Sequence, residues 1–288
     1  MSSTIKIVEC PRDAMQGISE FIPTEKKTAY INQLLKVGFD TIDFGSFVSP
    51  KAIPQLKDTT HVLAGLDLSN TKSKLLSIIA NTRGAETACN FDEINYLGFP
   101  LSVSEKFQKR NTNKSIEEAL NVVEEIQNLS VKNSKELVVY LSMAFGNPYG
   151  ENYHPDIVAE LTEKLNQLDI GIIALSDTIG VSNSSNIAPL FSTLISEYPK
   201  IEFGAHFHTT PDKWKEKVDS AYKNGCRRFD SAIKGYGGCP MAKDELTGNF
   251  PTEKLISYFN SKNVPLNINA LHFESSFNES TKLFSRYK

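Results

Sequence analysis

The sequence predicts an α/β fold, a closed (β/α)8 TIM barrel with a short helical extension at its C-terminal end. Three observations lead there. Eight short β-rich runs alternate with helical segments along the 288 residues. Most of these runs are continuously apolar, as strands are when both faces are covered. Eight such units in a chain of this length fit a closed barrel better than an open doubly wound sheet. No linker or low-complexity segment divides the chain, so residues 1–288 are expected to form a single domain.

The elements follow in order. TIKIVEC (4–10) is the first strand. TEKKTAYINQLLKVG (24–38) is a helix with Ile31, Leu34 and Leu35 on one face and Gly38 as its stop. TIDFGSF (41–47) is the second strand, and the Ser-Pro at 49–50 starts a short helix reaching toward Leu63. KLLSIIANT (74–82) and EINYLGFP (93–100) are the third and fourth strands. Ser115 and Glu118 have the spacing of a capping box ahead of a helix carrying Leu120, Val123 and either Gln127 or Ile126. ELVVYLSMAFG (136–146) is the fifth strand. Pro155 suits a first helical turn, followed by Ile157, Leu161, Leu165 and Leu168 as a buried stripe. IGIIALSDT (170–178) is the sixth strand, and Ile187, Leu190, Phe191, Leu194 and Ile195 mark the next helix. IEFGAHFH (201–208) is the seventh strand, and Pro211 opens a helix bearing Trp214, Val218, Ala221 and Tyr222. RRFDSAIKG (227–235) is the eighth strand. A last helical region starts near Pro251, and a less periodic tail ends at Lys288.

Composition narrows the function. Hydrophobic residues are 40%, charged residues 23% and the formal charge is -3, an ordinary balance for a water-soluble chain. No basic block or stripe is present, which argues against nucleic acid as a partner. No apolar stretch is long enough to span a bilayer, so no membrane partner is expected. The start MSSTIKIVEC has no signal-peptide pattern, and the scattered Cys10, Cys89, Cys226 and Cys239 make no disulfide framework. A cytoplasmic protein is the simplest expectation. A homodimer is the ordinary default for its assembly.

The polar residues have a common address. In such a barrel, reactive groups gather at the C-terminal ends of the strands and in the loops beyond. Arg12 and Asp13 follow the first strand, Asp43 lies on the second, and Asn147 and Tyr149 follow the fifth. Asp177 and Thr178 end the sixth, His206 and His208 end the seventh, and GYGGCP (235–240) leads on to Asn249. His206 and His208 share strand parity, so both side chains point to one face while Phe207 points toward the helices. Two imidazoles with oxygen donors such as Asp13 and Asn249 make a credible divalent-metal site. The set suits Mg2+, Mn2+ or another such ion, and the alternative is a pair of hydrogen-bonded core histidines. Cys239 sits in a glycine-rich loop that can carry a thiol to a site. Arg12 at a strand end is either a rim ion pair or a partner for a thioester carbonyl or enolate. Asp177 caps the following loop or orders the site.

These motifs together resemble the 3-hydroxy-3-methylglutaryl-CoA lyase family, metal-dependent lyases related to isopropylmalate synthase. VECPRDAMQ (8–16), SFVSPKAIPQL (46–56), SMAFGNPYG (142–150), LSDTIGV (175–181), HFH (206–208), GYGGCPMA (235–242) and TGN (247–249) occur in family order over almost the whole chain. The resemblance implies a divalent metal, Mg2+ or Mn2+, on Asp13, His206, His208 and Asn249. It implies Arg12 as stabiliser of the thioester oxygen, Cys239 as proton donor, and His206 or Asp13 as remover of the hydroxyl proton. Asp43 and Asp177 complete its catalytic set, and an acyl-CoA thioester is the implied substrate. This sequence has Asp43 where the family usually has glutamate, Asn147 where it often has cysteine, and Thr209 where it often has aspartate. The loop segment KDELT (243–247) also differs in length and charge. Rival readings are a Claisen-type synthase of the isopropylmalate or citramalate kind, a small hydroxy-oxo acid aldolase, and a non-catalytic acyl-thioester binder.

Overall fold

The computed structural model describes residues 4–238 and 247–287. Strands β1 (Lys6–Glu9), β2 (Thr41–Ser46), β3 (Lys74–Ile78), β4 (Ile94–Ser102), β5 (Glu136–Ser142), β6 (Ile172–Asp177), β7 (Glu202–Thr209) and β8 (Arg228–Ser231) form one parallel sheet. Each pairs with its neighbour in chain order, and β8 pairs back onto β1, closing the barrel. Helices α1 (Pro11–Gln16), α2 (Thr24–Leu35), α3 (Thr59–Ala64), α4 (Thr82–Cys89), α5 (Glu105–Thr112) and α6 (Ile116–Lys132) accompany the first half. Helices α7 (Pro155–Gln167), α8 (Ser184–Glu197) and α9 (Trp214–Lys223) accompany the second. A two-residue strand β9 (Gly248–Asn249) then precedes α10 (Thr252–Ser261) and α11 (Ala270–Arg286).

Alternation along each strand divides the apolar residues into two cores. Leu76, Tyr96, Val138, Tyr140, Ile172 and Ala174 form a small cluster inside the barrel. Their neighbours Leu75, Leu97, Val139, Leu141, Ile173 and Leu175 point outward into the larger core beneath the helices. The barrel interior is therefore filled with side chains and opens only toward its ends. Gly204 on β7 leaves a gap on the inward face that admits Arg228, whose Cδ would stand 3.2 Å from a Cβ placed there.

Sequence patterning locates all eight strands but overruns several C-terminal ends. The fifth stops at Ser142 because Met143 turns with φ 61°. The eighth stops at Ser231, followed by a bridge from Ala232 to Pro251 and a 3-10 turn at Ile233–Gly235. The expected helix from 49–50 is a turn, a 3-10 piece at Pro54–Leu56 and then α3, and the helix placed at Pro211 begins at Trp214. The capping box at Ser115 and Glu118 forms in both directions, and Pro155 opens α7.

The expected C-terminal helical extension is present, and it reaches through the segment that patterning reads as a less periodic tail. It holds a 17-residue helix, α11, capped by Asn269 and packed against α2. Its buried side includes Ser276 and Ser280, whose hydroxyls bond to backbone oxygens of their own helix at 2.8 Å. Small polar residues on a buried stripe erase the apolar period that patterning reads.

Barrel closure uses a buried carboxyl. Glu9, 1% exposed, accepts from the Ile233 backbone N–H at 2.9 Å and from the Thr252 hydroxyl at 2.6 Å. Burial pushes its pKa up to about 8 in spite of those bonds. The folded protein thus keeps a proton that the unfolded chain releases near 4.5, and stability is lost as pH rises from there to about 8. Glu9→Gln supplies a permanently neutral group. Between about pH 5.5 and 7.5, wild type should lose about 2 kcal/mol of unfolding free energy relative to this variant. Urea unfolding at the two pH values checks it; parallel pH dependence of the two proteins would show Glu9 charged at neutral pH.

Candidate active site

The C-terminal end of the barrel collects the polar groups. The sequence CPRD places a proline just inside the start of α1, a position that needs no N–H partner. The short helix turns Arg12 and Asp13 over the barrel mouth instead of continuing β1. His206 and His208, two residues apart on β7, both face the same space. Ligand atoms of Asp13, His206 and His208 lie within 4.8 Å of one another. A cavity of about 370 Å³ opens above them, lined also by Arg12, Gln16 and Tyr140.

Each imidazole is held through Nδ1. His208 Nδ1 meets the Thr178 carbonyl oxygen at 2.9 Å, and His206 Nδ1 meets Asp230 Oδ2 at 3.0 Å. With Nδ1 engaged in both rings, Nε2 is the atom each can offer to the cluster. His208 Nε2 is buried without a hydrogen-bond partner, which costs free energy unless an electron-pair acceptor occupies the position. A divalent metal fits that need, and the mixed nitrogen and oxygen donor set suits it.

Asn249 enters from β9, which pairs antiparallel with β7 in the register His208↔Asn249. Its amide nitrogen donates to Asp13 Oδ2 at 2.7 Å and to the Tyr236 carbonyl at 2.9 Å. The carboxamide oxygen remains the atom with which it could reach a cation. Gly237, with φ +84°, lies so close that an added Cβ would stand 2.6 Å from the Asp13 carbonyl oxygen. Only glycine lets this backbone pass over α1. Cys239 lies outside the described residues.

Arg12 anchors the opposite wall. It donates from Nε and Nη2 to Asp43 Oδ2 at 2.9 and 2.6 Å, and from Nη1 to Asp13 Oδ1 at 3.2 Å and Gln16 Oε1 at 2.8 Å. The Gln16 amide also donates to Asp13 Oδ1. The charges are set by this arrangement. Burial alone would raise the Asp13 carboxyl, but Arg12 and then the two imidazoles hold it below its usual value. Burial pushes Asp43 up to about 6 against the pull of Arg12. Burial would lower His206, yet the Asp230 hydrogen bond and charge raise it overall. His208, bonded to a neutral carbonyl, is lowered by burial and by His206.

Asp177 is not among the groups lining the cavity. Its carboxylate accepts from the backbone of Val181 and Ser182, each at 2.9 Å, and pairs with buried Lys217 at 2.6 Å. Lys217 also donates to the His208 carbonyl at 2.8 Å. Asp177 thus caps the loop that presents Thr178 to His208. Asn147 likewise serves its own loop, accepting from Tyr149 and Glu151 N–H groups. Three participants escape the sequence reading: Gln16, Tyr140 and Asp230. Tyr140 packs edge-on to His206 at 5.4 Å. Strand parity could have found Asp230, since Arg228 and Asp230 share the inward face of β8. Cys10 and Cys226 are buried in the fold, and Cys89 is half-buried.

The HMGL-like family model matches residues 5–276. The chain is 33% identical to hydroxymethylglutaryl-CoA lyase YngG of Bacillus subtilis over 265 residues, covering 92% of this chain and 87% of that one. It is also 33% identical to the cytoplasmic 3-hydroxy-3-methylglutaryl-CoA lyase of Homo sapiens, covering 92% of this chain and 71% of the relative. The solved structure of an HMG-CoA lyase from Acinetobacter baumannii, in complex with coenzyme A and 3-methylmalate, superposes with a TM-score of 0.90 at 30% identity, covering 99% of this chain and 93% of that one. With that match along nearly its whole length and a rim that gathers the family's motifs, the chain belongs to the HMGL-like family.

Proposed function

We propose that the protein is a metal-dependent carbon–carbon lyase that cleaves 3-hydroxy-3-methylglutaryl-CoA to acetyl-CoA and acetoacetate, with residues 1–288 as one catalytic domain. The observation that carries the reading is the meeting of Asp13, His206 and His208 beside Arg12 on the floor of one cavity. A binding scaffold has no need of such a cluster. The lyase names of the relatives and the coenzyme A in the Acinetobacter baumannii structure support an acyl-CoA substrate.

Asp13, His206, His208 and Asn249 would hold a divalent ion, Mg2+ or Mn2+. When bound, such an ion lowers the pKa of a substrate hydroxyl and fixes the acyl chain. The acyl group fits the cavity with its C3 hydroxyl toward this cluster. Of the two groups the resemblance offers as base, Asp13 takes the hydroxyl proton, since His206 Nδ1 is engaged with Asp230 and its Nε2 is committed to the cluster. The bond to the thioester α-carbon breaks and acetoacetate forms as the new ketone. Arg12 stabilises the enolate of acetyl-CoA; its three bonds to Asp43 hold the guanidinium in place. Burial alone would lower its pKa, but Asp43 and then Asp13 raise it overall, so the guanidinium stays charged. Cys239, next in sequence to Gly238, returns a proton to the enolate carbon.

Mass spectrometry of products from the purified protein, Mn2+ and 3-hydroxy-3-methylglutaryl-CoA should show acetyl-CoA and acetoacetate. Condensation of acetyl-CoA with a 2-oxo acid, and no cleavage, would reassign the chain to the Claisen-type synthases. His208→Ala should weaken Mn2+ binding, read by calorimetry, while the metal-free melting temperature changes far less. Equal Mn2+ affinity in the two proteins would remove His208 from the ligand set. Cys239→Ser should lower turnover by about 10²-fold, the scale of a positioned proton donor, with Mn2+ affinity unchanged. Parental turnover when chemistry limits the rate would take Cys239 out of the mechanism.

A further inference from the structure

The two imidazoles of the cluster have different supports. His208 leans on a neutral backbone carbonyl, whereas His206 leans on a carboxylate. That carboxylate, Asp230, comes from the adjacent strand, where the β7–β8 ladder sets His206 opposite Asp230 and Gly204 opposite Arg228. The Asp230 side chain is 1% exposed and that of His206 16%. A buried carboxylate needs compensation, and the imidazole N–H supplies one hydrogen bond of it. Arg228, fully buried on the same face two residues earlier, adds a positive charge whose influence reaches Asp230. Tyr140 against the ring leaves His206 little freedom to rotate away. The carboxylate therefore meets a ring already confined on one side.

We propose that Asp230 is a positioning residue for His206: its carboxylate keeps the proton on Nδ1 and turns Nε2, with its lone pair, toward the cluster. The inference rests on the metal reading given above, and it names the residue that makes one of the two imidazoles the stronger donor. A carboxylate behind a ligating imidazole fixes both tautomer and ring orientation and increases ligand basicity. The neutral carbonyl behind His208 can fix orientation but adds less basicity. Asp230 touches no reacting atom in this arrangement.

Two measurements on full-length protein test it. The first is the histidine-ring 1H–15N spectrum of metal-free protein at about pH 8.5, where an ordinary imidazole is neutral. His206 signals are assigned with His206→Gln. Wild type should show His206 protonated on Nδ1. Asp230→Asn, whose amide can donate to Nδ1, should shift the ring toward the Nε2-protonated form. The second measurement is Mn2+ affinity by calorimetry, which should weaken by about 10–100-fold in Asp230→Asn and in Asp230→Ala. If the alanine variant does not fold, the asparagine variant decides alone. Wild type that binds Mn2+ with the same affinity as the folded variants overturns the proposal. If wild type binds no Mn2+, the metal reading fails, and the spectrum still judges Asp230: an Nε2-protonated His206 in wild type overturns its role, and an Nδ1-protonated ring lost in the variant supports it.

Discussion

β7 is paired on both sides, with Ser176 of β6 opposite His206 on one edge and Asp230 of β8 opposite it on the other. Side chains alternate along a strand, so a slip of one residue in either ladder would turn both imidazoles out of the barrel and bring Phe207 in. Phe207 is held against Phe145 and Phe191 in the outer core, at ring distances of 5.4 and 6.2 Å. Aromatic packing outside the barrel thus fixes which face the histidines take. The same register brings Gly204 to Arg228 and His206 to Asp230, so one ladder supplies both the space for a buried cation and the partner for the His206 ring.

The rim carries more buried charge than an apolar core would tolerate unpaired. Arg12 lies between two carboxylates, Lys217 faces Asp177, and His206 faces Asp230. Such groups stabilise little as isolated pairs, and breaking one leaves its partner stranded. Their value lies in geometry. Lys217 bonds at once to Asp177 and to the His208 carbonyl, tying α9, the β6 loop and the end of β7 to one ammonium. The cluster is held from behind by groups that never enter the cavity.

Much of this was legible in the sequence. Period-two alternation made HFH readable as two side chains on one face, and eight β-rich runs gave the barrel that brings distant strand ends together. Arg12, Asp13 and the histidines were therefore placed at one rim from physical pattern. Asn249 is readable as an oxygen donor in the loop after the eighth strand, but not as a strand residue: β9 has two residues, too few for any periodic signal. Asp177 stood between loop cap and site residue because a sequence shows no direction for a carboxylate at a strand end; Lys217, forty positions later, gives it one. RRFDS reads as part of the eighth strand, and parity places Arg228 and Asp230 on its inward face, but nothing in the sequence pairs Asp230 with His206. The C-terminal helical extension is expected from the sequence, while the serines on the buried side of α11 blur its period.

The hydrogen bond from Asn249 to Asp13 joins residues 236 positions apart, and the ladder between β1 and β8 spans nearly as much of the chain. On a ribosome adding 5–20 residues per second, roughly 12–47 s separate the synthesis of these two partners. For most of that interval, until β7 and β8 are made, β1 has an open edge and Asp13 lacks the histidines opposite it. The cluster of Asp13, His206 and His208 with Asn249 is consequently among the last features the nascent chain can complete. Until then an unpaired parallel strand edge is offered to other chains, and any factor that shields β1 early in synthesis would protect the yield of folded protein without touching the finished site.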